Sequence, residues 1–178
     1  MAETDSEAES MLLPSDFTAA AALAGYFVAH GVWSISDGAA VTPMVAHEGD
    51  GGRGFQKFVS EDIGAGARQA ETWLEENPSN ALRAVLVVDG FADLDGVRRD
   101  ALIARVIEYG PPRRTLHIVL PYRPLATDRG FAVHSPRFGG AEGMEGVDLE
   151  ALGQAFFAGV GAHAAAASIW TDHLDESV

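Results

Sequence analysis

Three strings in this sequence bring chemistry-bearing residues close together. The first, EGDGGRGFQKF at residues 48–58, contains the pattern G-x-G-x-x-G, with Gly49, Gly51 and Gly54 in the glycine positions. Such a loop cradles a pyrophosphate when a strand leads into it and a helix follows, because the helix N-terminus presents free N–H groups. Here the flanks are two extended runs. Residues 40–47 are apolar and interrupted by Pro43, and Phe55, Phe58 and Val59 surround Gln56 and Lys57 in a strand-like pattern. Asp50 would repel a phosphate, and no strand-ending acid stands about twenty positions on to take a ribose hydroxyl. The string reads as a hairpin connection.

The second string, DGFADLDG at residues 89–96, clusters acids around a glycine. A calcium loop with Asp93, Asp95 and Gly96 at its third, fifth and sixth positions needs an acid at position 91 and a bidentate glutamate at position 102. Phe91 and Leu102 stand there instead, so a strand end and a tight turn with solvated carboxylates is expected. Histidines at 30, 47, 117, 134, 163 and 173 show no metal-ligand spacing, although His117 and His134 are candidates to converge in the fold. His163 lies on an apolar helical stripe and reads as a satisfied core histidine. There is no cysteine, which removes thiol nucleophiles, cysteine-based zinc sites and disulfides together, and no G-x-S-x-G elbow occurs. No metal or cofactor is expected, and the reading leans away from an enzyme.

The third string is a stretch of arginines. Residues 98–137 hold Arg98, Arg99, Arg105, Arg113, Arg114, Arg123, Arg129 and Arg137 against Asp100, Glu108 and Asp128. That is a local balance of +5 in a chain of net charge −14, so the remainder carries −19. Guanidinium forks match carboxylates and phosphates. An anion or acidic-partner site lined by Arg113, Arg114, His117, Tyr122, Arg123 and His134 is one expectation. The competing one is that these arginines only offset the acidic surface of their own protein. Net acidity itself argues against nucleic acid, whose backbone rewards lysine and arginine.

The elements that must position these residues follow from periodicity. The 178 residues, 47% of them hydrophobic, suit one domain. Residues 1–13 carry Glu3, Asp5, Glu7 and Glu9 and read as a disordered acidic tail; residues 172–178 read as a second acidic tail, leaving a domain at 14–171. The N-terminus lacks a basic and an apolar region of the secretory kind, so a cytoplasmic protein is expected. A first helix is capped by Ser15, carries Phe17, Ala21, Ala24 and Val28 on one face and ends at Gly31. Residues 32–36, 41–47 and 55–59 read as strands. A second helix starts at Ser60, Glu61 and Asp62 and stops at the NPSN of residues 77–80. Residues 83–89 (RAVLVVD), 102–109 and 115–120 are the next strands, and 125–147 reads as a long loop. A final helix spans 148–170, with Leu152, Phe156, Val160 and Trp170 on one face and an alanine row on another; its second face is either sandwiched in the fold or packed on another subunit. Alanine and glycine contribute little to insertion, and Gln154 and His163 interrupt the run, so no membrane span is expected.

The result is an α+β single domain: an antiparallel sheet of five to six strands with three helices, in the order α-βββ-α-βββ-α. Across residues 15–170, that order and the acidity resemble the class I type III secretion chaperones and the related YbjN-like proteins. The resemblance implies a small, often dimeric domain that holds a partner chain. The expected function is thus a non-enzymatic, chaperone-like protein-binding module, acting on a protein partner or as a homodimer; the alternative is a sensor or enzyme for a small anionic ligand.

Overall fold

Strand-forming residues dominate the middle of the chain, and the buried run RAVLVVD becomes the centre of a sheet. The computed structural model describes residues 16–178. In chain order these form α1 (Thr18–Ile35), β1 (Met44–Gly49), β2 (Gly52–Lys57), α2 (Ile63–Glu76), β3 (Arg83–Leu94), β4 (Val97–Glu108), β5 (Arg114–Arg123), β6 (Ala132–Val133), β7 (Arg137–Glu142), α3 (Leu149–Ala162) and α4 (Ala164–Asp172). The class is α+β, with an antiparallel seven-stranded sheet in the order β2-β1-β3-β4-β5-β6; β7 also pairs with β5. Along the free side of β5, β7 covers Thr115 to Val119 and β6 covers Tyr122 and Arg123.

Both faces of the sheet are covered, which is why β3 is apolar without alternation. Val85, Val87, Ala104, Val106, Leu116, Ile118 and Leu120 point to the side of α1, α3 and α4. Val45, Ala84, Leu86 and Ile107 point to the other, against Ala70 and Leu74 of α2. Each large side chain buried this way contributes about 1.5–3 kcal/mol. Helix α1 lies between the sheet and α3, so it is buried nearly all round. By length and composition it could cross a membrane, yet 61% of it is buried within this fold. Against α3 it crosses closely, because a Cβ at Gly25 would strike the Phe156 carbonyl and one at Gly159 the Ala22 carbonyl.

Several expectations change. The first helix does not stop at Gly31 and residues 32–36 are not a strand: α1 continues to Ile35, because Val28, Val32 and Ile35 extend the apolar stripe. Gly31 serves close approach rather than a cap, since a Cβ there would lie 2.9 Å from Leu102 Cδ1. The expected Ser15 cap lies outside the described residues. The Asp16 side chain accepts from Thr18 N at 3.1 Å and from Thr18 Oγ1 at 2.6 Å. Residues 125–147 are not wholly loop, for they contain β6 and the exposed edge strand β7. The final helix divides at His163 into α3 and α4, bent by 109°, so the described residues hold four helices rather than three. The hairpin reading of the glycine string holds: β1 and β2 pair antiparallel from Met44↔Lys57 to Gly49↔Gly52, around Asp50 and Gly51. The acidic string is likewise a hairpin. Asp95 and Gly96 both have positive φ, 53° and 79°, and join β3 to β4 in the manner of a type I′ turn.

Candidate functional site

Nine of the eleven arginines are committed to carboxylates. Arg53 and Arg83 share Glu48, Arg68 meets Asp62, Arg105 spans Glu71 and Glu75, and Arg113 joins Glu75 at 2.6 Å. Burial alone would raise the Glu75 carboxyl, but Arg113 and Arg105 hold it below its ordinary value. Arg114 pairs with Glu108, Arg123 and Arg129 approach Asp175, and Arg137 reaches Asp95. Among the described residues Arg98 and Arg99 alone of the arginines have no salt bridge. The Arg98 guanidinium stacks 4.2 Å from the Phe91 ring, and the buried Arg99 Nε has no hydrogen-bond partner.

These two arginines line a cavity of about 240 Å³ where β4 runs past the end of β5. Tyr122 and Arg123 enter from the end of β5, Thr127 and Arg129 from the loop after it, His134 from beyond β6 and Ser177 from the C-terminal segment. The loop is folded on itself: Thr127 Oγ1 donates to Pro124 O at 3.0 Å and Gly130 N donates to Thr127 O at 2.9 Å. Its returning carbonyl at Gly130 accepts from Arg123 Nε at 2.8 Å, which fixes that guanidinium. Tyr122 donates its hydroxyl to Asp89 Oδ1 at 2.8 Å. Burial first, and that bond second, push the Tyr122 phenol far above its ordinary value, so it remains a donor. Burial likewise raises Asp89. Arg98, Arg99, Arg123 and Arg129 meet there with Asp100 and Val178, while Asp175 is taken up by Arg123 and Arg129 and Asp89 by Tyr122. The arrangement is suited to holding an anion with several charge-assisted hydrogen bonds.

The expected six-residue site is therefore split. Tyr122, Arg123 and His134 meet at this cavity. Arg113 and Arg114 lie at the opposite end of β5, about 30 Å away at the rise of an extended strand. Arg114 is buried and structural, with Nη1 3.1 Å from Glu108 Oε1 and Nε donating to Gly143 O at 3.2 Å. His117 is exposed beside Gly139 and Gly140 of β7 and does not converge with His134, whose N–H pairs with Pro121 O at 2.9 Å. Sequence reasoning missed Arg98, Arg99, Thr127 and Arg129 as lining residues, although the three arginines were within the basic stretch. Asp175 and Ser177 carry no signal in the sequence, because their role depends on where the chain end folds.

A larger depression of about 440 Å³ over α2 is lined by Phe58, Arg68, Thr72 and Trp73, but its arginine is committed to Asp62. At the α3–α4 corner His163 accepts from Ala166 N through Nδ1 at 3.2 Å, so its Nε2–H donates to His30 Nδ1 at 3.1 Å. That pair is satisfied and sits among Tyr26, Trp33 and Phe55, as a structural histidine should. No group of three or more candidate metal ligands converges among the described residues. No protein-family model, curated protein or solved structure matches this chain.

Proposed function

We propose that this chain is a non-enzymatic, chaperone-like binding module that holds an acidic segment of a partner protein in the arginine cavity. One observation carries the reading: among the described residues nine arginines are paired with carboxylates, whereas Arg98 and Arg99, which have no salt bridge there, come together at one concave site. Unpaired guanidinium groups in a recess keep their capacity for carboxylates, and only a partner's acids are then gained on binding. Affinity capture at low and moderate salt, with an Arg98→Glu/Arg99→Glu variant and Arg113→Glu as control, tests it. A partner held by the wild type and by Arg113→Glu, but lost from the double variant, is the expected result. Equal capture by all three proteins would refute the assignment.

A small anionic ligand is the second reading, favoured by the four guanidinium groups of Arg98, Arg99, Arg123 and Arg129 around a cavity of about 240 Å³. It predicts that inorganic phosphate or a tricarboxylate raises the melting temperature of the wild type and not of the double variant. Self-association belongs to the proposal too. It is supported by α3 and α4, where residues 151–171 carry no Asp, Glu, Lys or Arg and where Phe157 remains 48% exposed. Sedimentation of the wild type beside Phe157→Glu reads it directly.

A further inference from the structure

The arginine cavity is already approached by a peptide from its own chain. Beyond α4, residues 173–175 run beside β6 as an added strand: Val133 N donates to His173 O at 2.9 Å and Asp175 N donates to Val133 O at 2.8 Å. Val133 and Leu174 form a parallel bridge. His134, only 2% exposed, donates Nδ1–H to Asp175 O at 2.7 Å. The Asp175 carboxylate accepts from Arg123 Nη1 at 2.9 Å and lies 3.8 Å from Arg129. It also accepts from Ser177 N at 3.1 Å and Ser177 Oγ at 2.5 Å. The Ser177 hydroxyl first, and Arg123 next, hold this carboxyl well below the usual range.

Main-chain pairing to an edge strand supplies affinity without sequence preference, and side-chain contacts supply the choice. Here the choice is spelled out by the strap: an aspartate for Arg123 and Arg129, with a hydroxyl two residues on that folds back to the carboxylate. The strap makes no salt bridge to Arg98 or Arg99, which have none among the described residues. A tethered segment competes at a high effective concentration, so an outside segment prevails only through contacts that the strap lacks.

Resting on the function proposed above, we infer that residues 173–177 are an intramolecular stand-in for the partner, and that the partner segment is an extended Asp-x-Ser sequence with further acids for Arg98 and Arg99 that displaces the strap from β6. The apparent affinity for such a segment is lowered by the fraction of molecules in which the strap is closed.

The probe is a labelled peptide built on Leu-Asp-Glu-Ser with two added glutamates, titrated by fluorescence anisotropy into the whole chain. Three variants accompany the wild type: Asp175→Asn, Ser177→Ala, and Arg98→Glu/Arg99→Glu. Opening the strap at Asp175 should tighten binding about tenfold, as for a competent fraction raised from roughly a tenth to nearly all. Ser177→Ala, which removes one strap hydroxyl and leaves Asp175 and its arginines in place, should shift binding the same way by less and guards against misfolding of the first variant. Peptide binding should also speed amide exchange at Asp175 in the wild type, since its N–H then loses Val133 O. If the wild type binds the peptide and neither strap variant binds it more tightly, the strap is no stand-in and only the arginine cavity survives. If no variant nor the wild type binds it, or if Arg98→Glu/Arg99→Glu binds it unchanged, the assignment of the cavity falls and the strap inference with it.

Discussion

Replacing Arg114 with methionine should damage the fold and leave the arginine cavity intact. Arg114 and Glu108 face each other across the β4–β5 pairing, and their side chains are 7% and 8% exposed. The guanidinium also donates to the Gly143 carbonyl. Removing it takes the matching charge from a buried carboxylate, a change that costs about 3–5 kcal/mol where such pairs are broken singly. Against a typical total of about 5–15 kcal/mol, that is about a fifth of the stability or more. The double variant Glu108→Leu/Arg114→Met should recover most of the loss, because an apolar pair of similar volume needs no desolvated charge. Urea unfolding of the wild type and the three variants gives the single and double costs. Binding at the far end of β5 should not change in any variant that remains folded. A loss below about 1 kcal/mol in Arg114→Met would refute the structural assignment, and a loss of binding with stability retained would return Arg114 to the ligand site.

Two further predictions concern the helices. Gly159→Ala should lower stability by about 1–3 kcal/mol even though alanine favours helix, because its Cβ meets the Ala22 backbone, which shifts only if α1 moves. Gly153→Ala on the same helix meets nothing within 4 Å and should raise stability by up to about 1 kcal/mol, so opposite shifts in melting temperature are expected. At the helix corner, burial first, then His163 and Lys57, hold the His30 imidazole below its ordinary 6.5. The unfolded chain therefore takes up a proton that the folded chain refuses, and the stability involved is intact above about 6.5 and is lost as pH falls through the lowered folded value. Urea midpoints measured between about pH 7.5 and 5.5 should fall for the wild type and fall less for His30→Phe; equal slopes would contradict the linkage.

Much of the architecture was legible because it rests on local periodicity and turn chemistry. The run RAVLVVD is buried on both faces of β3, Asp62 caps α2 through Gly64 N at 2.9 Å, and Asn77 ends it with φ 46°. Residues 32–36 were misjudged because Gly31 has the look of a cap, whereas its missing Cβ makes room for Leu102 from a strand about seventy positions away. The strands β6 and β7 escaped notice for a related reason. One is two residues long and the other is fully exposed, so neither carries an apolar alternation.

The sequence by itself determined the α+β class, the hairpin at the glycine string and the concentration of arginines between residues 98 and 137, since each depends on neighbours along the chain. Only the tertiary structure decided which arginines are paired within the fold. Glu71 and Glu75 reach Arg105 from α2, Glu75 also takes Arg113, and Asp175 returns to Arg123 from beyond α4. Charge that adds up along a sequence is cancelled pair by pair in space, and among the described residues Arg98 and Arg99 stand outside that cancellation.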